Sequence, residues 1–261
     1  MTNDLGGELL NLATNLATRV GDTALAGRRL GLRNVGTKST QTDMVTEYDR
    51  ATEREIVATL RRLRPDDAIV GEEDGSHTGT SDITWFVDPI DGTTNFLYDL
   101  PMWTVSIGVR DGEGALCGVV YAPALRETFT AVRGHGAFLN GHRIACGELT
   151  DPTQALVATG FSYSAPNRVT QAERFPHFID KIRDVRRLGS ASLDLCFVAC
   201  GRYDAYFEEH LYPWDLAAGS LIASEAGANV AVASSDAPDT LAVLAANPTL
   251  FPKIGRLLFW K

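Results

Sequence analysis

Cysteine is scarce in this chain of 261 residues, and the four thiols, Cys117, Cys146, Cys196 and Cys200, form no CxxC pair and have no histidine beside them at metal-ligand spacing. A disulfide-stapled scaffold is therefore excluded. Cys196 and Cys200 stand four apart on an expected helix, which reads as a buried apolar face. The histidines, His77, His135, His142, His177 and His210, make no HxxxH pattern, so a zinc site is not expected. Long apolar runs are absent as well. The longest, such as Leu241 to Ala246, have strand length, well short of the roughly 20 residues of a membrane-spanning helix. Basic charge is in deficit, with 24 Lys and Arg against 33 Asp and Glu, a net charge of -9. No basic stripe offers itself to nucleic acid or to an anionic membrane. The local run Arg183, Arg186 and Arg187 reads as a solvated edge or as help for an anionic substrate. Near the N-terminus, acids stand where a signal peptide carries bases, so a cytoplasmic protein is expected.

What remains is the composition of a soluble globular protein, 44% hydrophobic and 22% charged. An amphipathic first helix is followed by a second over Val45 to Leu63. Its apolar face is Ile56, Val57, Leu60 and Leu63; Pro65 ends it, and Thr46 with Asp49 resembles a capping box. Ala68 to Val70 reads as a short strand, and Ile83 to Val87 as a buried strand ending abruptly at Asp88. Val105 to Phe138 alternates around turn signals, which predicts an antiparallel meander. The second half alternates strand and helix: strand Ala155 to Thr159, helix near Val169 to Ile182, strand Val185 to Leu188 and helix Ala191 to Cys200. Strand Tyr203 to Phe207, helix Asp215 to Ala226, strand Leu241 to Ala246 and a short terminal helix complete it. No long linker, repeat or low-complexity tract interrupts the chain. The expectation is a single compact body over 1–261, whose halves, about 1–150 and 151–261, share one site.

The segment richest in chemistry is Trp85-Phe86-Val87-Asp88-Pro89-Ile90-Asp91-Gly92-Thr93-Thr94-Asn95-Phe96. A buried strand delivers two carboxylates within four residues; Pro89 stiffens the backbone between them, and Gly92 permits a sharp turn. Two like charges about 4 Å apart repel by roughly 4 kcal/mol at an effective dielectric near 20, so such a pair calls for protons or cations. Carboxylate and carbonyl oxygens without His or Cys suit magnesium, manganese or calcium. Taken alone, DPxD reads equally as a turn at a strand end. Three further segments, DMVTEYD at Asp43 to Asp49, GEED at Gly71 to Asp74 and WDLAAG at Trp214 to Gly219, also put acids at element boundaries, and together they are hard to explain as caps.

This ordered set, DMVTEYD, GEED, WFVDPIDGTTNF and WDLAAGSLIASEAGA, resembles the inositol monophosphatase family, within the larger group of lithium-sensitive, magnesium-dependent phosphatases. The likeness extends over nearly the whole chain, and DPIDGTTNF and WDxAAG are its most specific pieces. It implies an α+β fold, a layered α-β-α-β-α sandwich with mixed and antiparallel sheets. It also implies that Glu72, Asp88, the Ile90 carbonyl, Asp91 and Asp215 hold two or three Mg2+ ions, with Mn2+ as an alternative. Asp49 and Thr93 would hold and activate the attacking water, with Glu72 as a further catalytic acid. Lys38 occupies the place of the family's lysine near the first loop. Gly92 and Thr93 would offer backbone donors to the phosphate, while Gly189, Ser190, Ala191, Glu208 and Asp215 match positions that contact the polyol. A homodimer and lithium inhibition are inherited in the same way.

The physical logic is independent of the likeness. Hydrolysis of a phosphate monoester dianion is so slow that an enzyme may need to supply up to about 10²¹-fold. Two metals roughly 3.5–4 Å apart meet that demand by lowering the pKa of a bound water and neutralising the leaving alkoxide. The expected activity is thus hydrolysis of a small polyol phosphate, inositol 1-phosphate first, without a phosphoenzyme. Fructose 1,6-bisphosphate, histidinol phosphate, a 3'-phosphonucleotide and NADP present the same phosphate to the same ions, so Phe161 to Arg168, Gly189 to Ser192 and Glu208 must separate them. A non-catalytic regulatory or binding protein, or a sugar- or calcium-binding module, are the readings of another class.

Overall fold

The computed structural model describes residues 5–31, 35–38, 40, 44–73 and 75–258. Asp43 and Asp74, members of the acidic segments above, lie outside the described residues. Helix α1 (Leu5–Arg29) buries Leu9, Ala13, Leu16, Ala17, Val20 and Ala24, apolar positions at three- and four-residue intervals that make one stripe. A ribbon of β1 (Gly36–Thr37) and β2 (Met44–Val45) leads to α2 (Glu47–Leu63). The capping box that opens α2 is formed: Thr46 Oγ1 accepts from Tyr48 N at 3.2 Å, and Asp49 Oδ2 accepts from Thr46 N at 2.7 Å. Ile56, Val57 and Leu60 are buried as expected, but Leu63, in the last turn, is 47% exposed and leaves that face.

Strands β3 (Ala68–Gly71), β4 (Ser76–His77) and β5 (Thr84–Asp91), the short helix α3 (Thr93–Leu97), and strands β6 (Thr104–Asp111), β7 (Gly114–Ala122), β8 (Glu127–Val132), β9 (Gly136–Leu139) and β10 (His142–Ile144) follow. They form an eight-stranded sheet in the order β10-β9-β8-β7-β6-β5-β3-β4, antiparallel except where β3 pairs with β5. The expected meander is its core. Strand β5 does not stop at Val87 but runs on through Asp91, with a register shift against β6 between Asp88 and Asp91. Pro89 has no N–H for the ladder, so the chain bulges there and turns both carboxylates to the end of the sheet.

The second half contains β11 (Leu156–Thr159), α4 (Ala165–Ala172), β12 (Asp184–Arg186), α5 (Ala191–Ala199), β13 (Ala205–Leu211), α6 (Pro213–Glu225), β14 (Asn229–Ser234), β15 (Leu241–Ala246) and α7 (Phe251–Leu257). Its five strands lie in the order β12-β11-β13-β15-β14 in a mixed sheet. The helix expected near Val169 to Ile182 is instead α4, which starts earlier with Pro166 in its first turn, followed by two 3-10 turns at Phe175–His177 and Ile179–Lys181. Pro176, which can neither donate to nor pack into a continuing helix, breaks it. Strand β13 also outruns its expected end, since Glu208 pairs with Val243 and Leu211 with Leu241 despite the polar residues between.

Helices α1 and α2 cover one face of the large sheet, α5 and α6 lie between the two sheets, and α7 packs on the far side of the small one. The α-β-α-β-α layering is as expected. Position explains composition: α5 and the body of α6 are buried on nearly every side and accordingly lack a polar stripe. The middle layer's core joins Val120 and Phe129 of the first half to Leu193, Leu195 and Tyr206 of the second.

Candidate active site

At the end of β5, Gly92 takes φ 94° and opens α3. A side chain there would be both strained and crowded, its Cβ 3.0 Å from the Met102 carbonyl oxygen and 3.1 Å from that of Gly189. Asn95 braces the same turn, donating from Nδ2 to Met102 O at 2.6 Å and to Leu188 O at 2.7 Å. The Gly189-Ser190-Ala191 segment at the start of α5 is thereby held against the DPIDGT turn. Asp91 completes the join: its Oδ2 accepts from Ser190 Oγ at 2.7 Å, Ser192 N at 2.8 Å and Ser192 Oγ at 2.5 Å.

Thr93 Oγ1 lies 3.0 Å from Asp49 Oδ1 and 3.1 Å from the Ile90 carbonyl oxygen, so the first residues of α2 and α3 meet at one hydroxyl. Asp49 is fully buried and Thr93 nearly so. Burial pushes the Asp49 carboxyl above its ordinary value, against the opposing hydrogen bonds from Thr46 and Thr93. Asp88 is also buried, one oxygen accepting from Ile90 N at 3.1 Å. Its carboxyl is pushed well up, first by burial and then by the negative charges of Glu72, Asp91 and Asp215. Glu72 is raised to about 7 by burial, although the ammonium of Lys38, 2.7 Å from its Oε1, opposes the shift. Lys38 also pairs with Glu73; these two acids hold it protonated despite burial that would do the reverse. Asp215, at the start of α6, is raised by burial and by Asp91 and Glu72, while its Oδ2 accepts from Tyr212 N at 2.7 Å.

The acids Glu72, Asp88, Asp91 and Asp215, drawn from β5, α6 and the loop after β3, therefore line one cleft of about 550 Å³ with Lys38, Ile90, Gly92, Thr93, Gly189, Ala191 and Glu208. Asp49 and Ser190 reach the same place from behind, through Thr93 and Asp91. The residues that the resemblance assigns to cations, water, phosphate and polyol thus all fall in or directly against this cleft. Among the described residues, no three of His, Cys, Asp and Glu close into a finished metal cage. The side chains are instead committed to Lys38, Ser190, Ser192 and Tyr212. Fit to a cation is judged by the donor set: all-oxygen and anionic, with every carboxyl raised chiefly by burial and those of Glu72, Asp88 and Asp215 also by neighbouring acids. Hard divalent cations fit it.

Glu208 projects from β13 and accepts from Tyr206 Oη at 2.8 Å. Burial raises it to about 7, with Tyr206 and Arg187 opposing. Of the basic run, Arg187 lines the cleft, whereas Arg183 is exposed and bonded to Gln154 O and Arg186 is exposed and paired with Asp184. Phe161 and Tyr163, from the segment expected to separate substrates, and Trp214 of WDLAAG line the cleft, and Asn95 of DPIDGTTNF braces it; two groups carried no signal in the sequence: Tyr212 of the wall, and Glu53, which accepts from Glu73 N at 2.8 Å. Glu53 sits on α2 four residues after Asp49, and that helical spacing is the one cue that could have found it.

A family model described as the inositol monophosphatase family matches residues 7–257. A relative from Mycobacterium tuberculosis strain H37Rv, named inositol-1-monophosphatase SuhB, is 42% identical over 260 residues, covering 92% of this chain and 89% of the relative. A relative from Pasteurella multocida, named Nus factor SuhB, is 43% identical over 223 residues, covering 84% of this chain and 83% of its own length. Among solved structures, the extragenic suppressor protein suhB of Bartonella henselae superposes with a TM-score of 0.88 at 32% identity, over 96% of this chain and 98% of that one.

Proposed function

The chain belongs to the inositol monophosphatase family, whose members are phosphoric monoester hydrolases, and from that premise we propose that it hydrolyses the phosphate ester of a small polyol, inositol 1-phosphate first, with Mg2+. The observation that carries this reading is the meeting of Glu72, Asp88, Asp91 and Asp215 beside the Thr93–Asp49 hydrogen bond in one cleft. Glu72, Asp88, the Ile90 carbonyl, Asp91 and Asp215 would hold two or three divalent cations. When bound, such ions neutralise charge on the phosphate and the leaving oxygen and lower the pKa of water.

The remaining work falls to the chain itself. Thr93 Oγ1, by donating to Asp49, turns a lone pair outward to accept a hydrogen bond from the attacking water. As the water attacks, a proton can pass to Thr93 Oγ1 while that oxygen's own proton moves to Asp49 Oδ1. Burial has already raised the Asp49 carboxyl, which eases its protonation. The amides of Gly92 and Thr93, at the start of α3 and without intrahelical acceptors, face the phosphate oxygens. Glu208 and the Gly189-Ser190-Ala191 segment hold the hydroxyls of the alcohol, and Asp215 binds on the same side. Lys38 fixes Glu72 and the loop after β3. A homodimer of such subunits is expected in solution.

Phosphate release from inositol 1-phosphate, fructose 1,6-bisphosphate, histidinol phosphate, 3'-phosphoadenosine 5'-phosphate and NADP, with Mg2+ and with EDTA, tests the reading. Mg2+-dependent release greatest for inositol 1-phosphate is the expected result. A different preferred ester moves the substrate and keeps the cleft's chemistry; no release from any of them overturns the hydrolase reading. A second reading, a regulatory binding protein, is favoured by the Nus factor name of the Pasteurella relative. Its mark would be partner binding that survives Asp91→Asn.

A further inference from the structure

Arg187 lies on the stretch between β12 and α5, is exposed, and lines the cleft. Other basic groups nearby are committed. Lys38 is held by Glu72 and Glu73, Arg174 pairs with the cleft residue Glu209, and the adjacent Arg186 pairs with Asp184. Among the described residues Arg187 makes no hydrogen bond or ion pair. Its guanidinium, charged at any physiological pH, therefore keeps a planar fork of N–H donors with no acceptor in the protein. A missing side chain sets its place: Nη1 takes the space that a Cβ on Gly189 would need, and Gly189, at φ 87°, favours glycine for its backbone as well. Glu208 is seated in the same manner, its carboxyl filling the space of a Cβ on Gly160. Arg187 is near enough for its charge to act on Glu208 without bonding to it. Because Gly189 and Glu208 both line the cleft, the guanidinium beside them opens onto it. Asp194, in the first turn of α5, also feels Arg187, but both its oxygens are buried without a partner and burial pushes its carboxyl well up. It is neutral at pH 7 and leaves the guanidinium's charge uncompensated.

We propose that Arg187 forms an anion subsite for the alcohol part of the substrate: its guanidinium binds a second oxyanion, a carboxylate or a phosphate, on the alcohol being released. The cleft then takes phosphate esters whose alcohol is itself anionic, with hydroxyls on the Glu208 side and the extra charge on the Arg187 side. Inositol 1-phosphate, whose alcohol is uncharged, leaves the subsite to water. Everywhere else the cleft is lined by acids that repel a second anion, so Arg187 is what makes such a substrate acceptable. The subsite rests on the hydrolase reading above and lies apart from the carboxylate cluster.

The test measures kcat/KM in saturating Mg2+ for two matched pairs of esters, with inositol 1-phosphate as reference. Glycerol 3-phosphate and 3-phosphoglycerate differ by a hydroxymethyl group against a carboxylate; fructose 1-phosphate and fructose 1,6-bisphosphate differ by a second phosphate. Within each pair, the ratio of the charged to the uncharged alcohol is compared among wild type, Arg187→Gln and Arg187→Lys. In Arg187→Gln the ratio should fall about tenfold for at least one pair, the low end for a hydrogen bond to a charged group because the subsite is open to water. The pair that responds names the oxyanion. Arg187→Lys keeps the charge and loses the fork, so it should retain part of the ratio. Added salt should lower the ratio more in wild type than in Arg187→Gln. A merely structural role would move both members of a pair together, so ratios unchanged in both pairs overturn the proposal. If Arg187→Gln does not fold, the Lys variant and the salt dependence decide by the same ratio. Release from inositol 1-phosphate alone overturns the subsite and leaves the hydrolase reading standing; release from none of the five esters by wild type defeats the hydrolase reading itself.

Discussion

Thr93 has one hydroxyl proton and two acceptors in reach, Asp49 Oδ1 and the Ile90 carbonyl, so any shift of that proton toward Asp49 is a choice the substrate complex can enforce. Removing the hydroxyl without changing the shape isolates its contribution. Thr93→Val is expected to lower kcat about 10²- to 10³-fold, in the range of a lost general base or water-orienting donor, while Thr93→Ser keeps most of the rate. Equal losses in the two variants would remove the hydroxyl from the mechanism. Asp91 behaves differently, because its carboxylate binds the two halves as well as any cation. In Asp91→Asn the amide oxygen can face Ser190 and Ser192, but the NH2 then meets Ala191 N, a donor 3.2 Å from the present Oδ1. Turnover should vanish, and the melt should fall by an amount that matches one unsatisfied donor, about 1–3 kcal/mol, with the far-ultraviolet spectrum unchanged. Near-normal turnover would sink the cation-binding assignment. Glu208→Gln keeps an oxygen for Tyr206 Oη, so the expected effect is confined to binding. KM for inositol 1-phosphate should rise about three- to tenfold, with kcat largely kept.

Asp215 is delivered by α6, and α6 can lie where it does because the sheet beneath it has no side chains at two points. A Cβ on Gly108 of β6 would come 2.6 Å from Ala217 Cβ and 2.8 Å from the Ala218 nitrogen, and one on Gly118 of β7 would come 2.9 Å from Ala218 Cα. Backbone cannot swing aside as a side chain can. Gly108→Ala should therefore push the helix off the sheet, cost about 1–3 kcal/mol, and lower the melting temperature by roughly 2–12 °C. Because the same shift withdraws Asp215 from the other acids, the Mg2+ concentration for half-maximal activity should rise. A variant that melts lower with an unchanged Mg2+ requirement would separate the helix position from the cation site. None of this was legible in the sequence, where Gly108 and Gly118 read only as small residues in a meander. The acids were legible for the opposite reason. DPIDGT and WDLAAG put charge where strand or helix periodicity calls for burial, and that local conflict marks a position whatever it packs against. Where local pattern and tertiary demand diverged, the reading failed. β5 continued through Pro89 because a bulge absorbs the missing donor, α4 ended at Ala172, one turn ahead of Pro176, and β13 ran on past Phe207 because Glu208 and, beyond a register shift, Leu211 pair with β15.

The whole molecule stores its acids at a cost that depends on pH. Glu72 and Glu208 rise from 4.5 in the free side chain to about 7, chiefly through burial, and Asp49, Asp88, Asp91 and Asp215 shift in the same direction. A carboxyl whose folded-state pKa is raised binds its proton more tightly folded than unfolded. Its contribution to stability is complete below about 4.5 and is lost as pH climbs through about 7. Lys38 stays protonated across this window and leaves the slope unchanged. In EDTA, the melting temperature should therefore fall between pH 5 and pH 8. Divalent cations bind the ionised carboxylates and not the protonated ones, so Mg2+ should raise the melt more at pH 8 than at pH 5 and flatten the slope. Glu208 stands outside the proposed ligand set; its share of the slope should persist with Mg2+ present and disappear in Glu208→Gln. Since the middle layer's core is built from both halves, the melt is expected as one transition at every pH. Scanning fluorimetry across pH with EDTA or Mg2+ reads all of this at once. A melt in EDTA that rises from pH 5 to pH 8 would mean that the acids are ionised and satisfied by the protein alone, and would remove the physical argument for cations in the cleft.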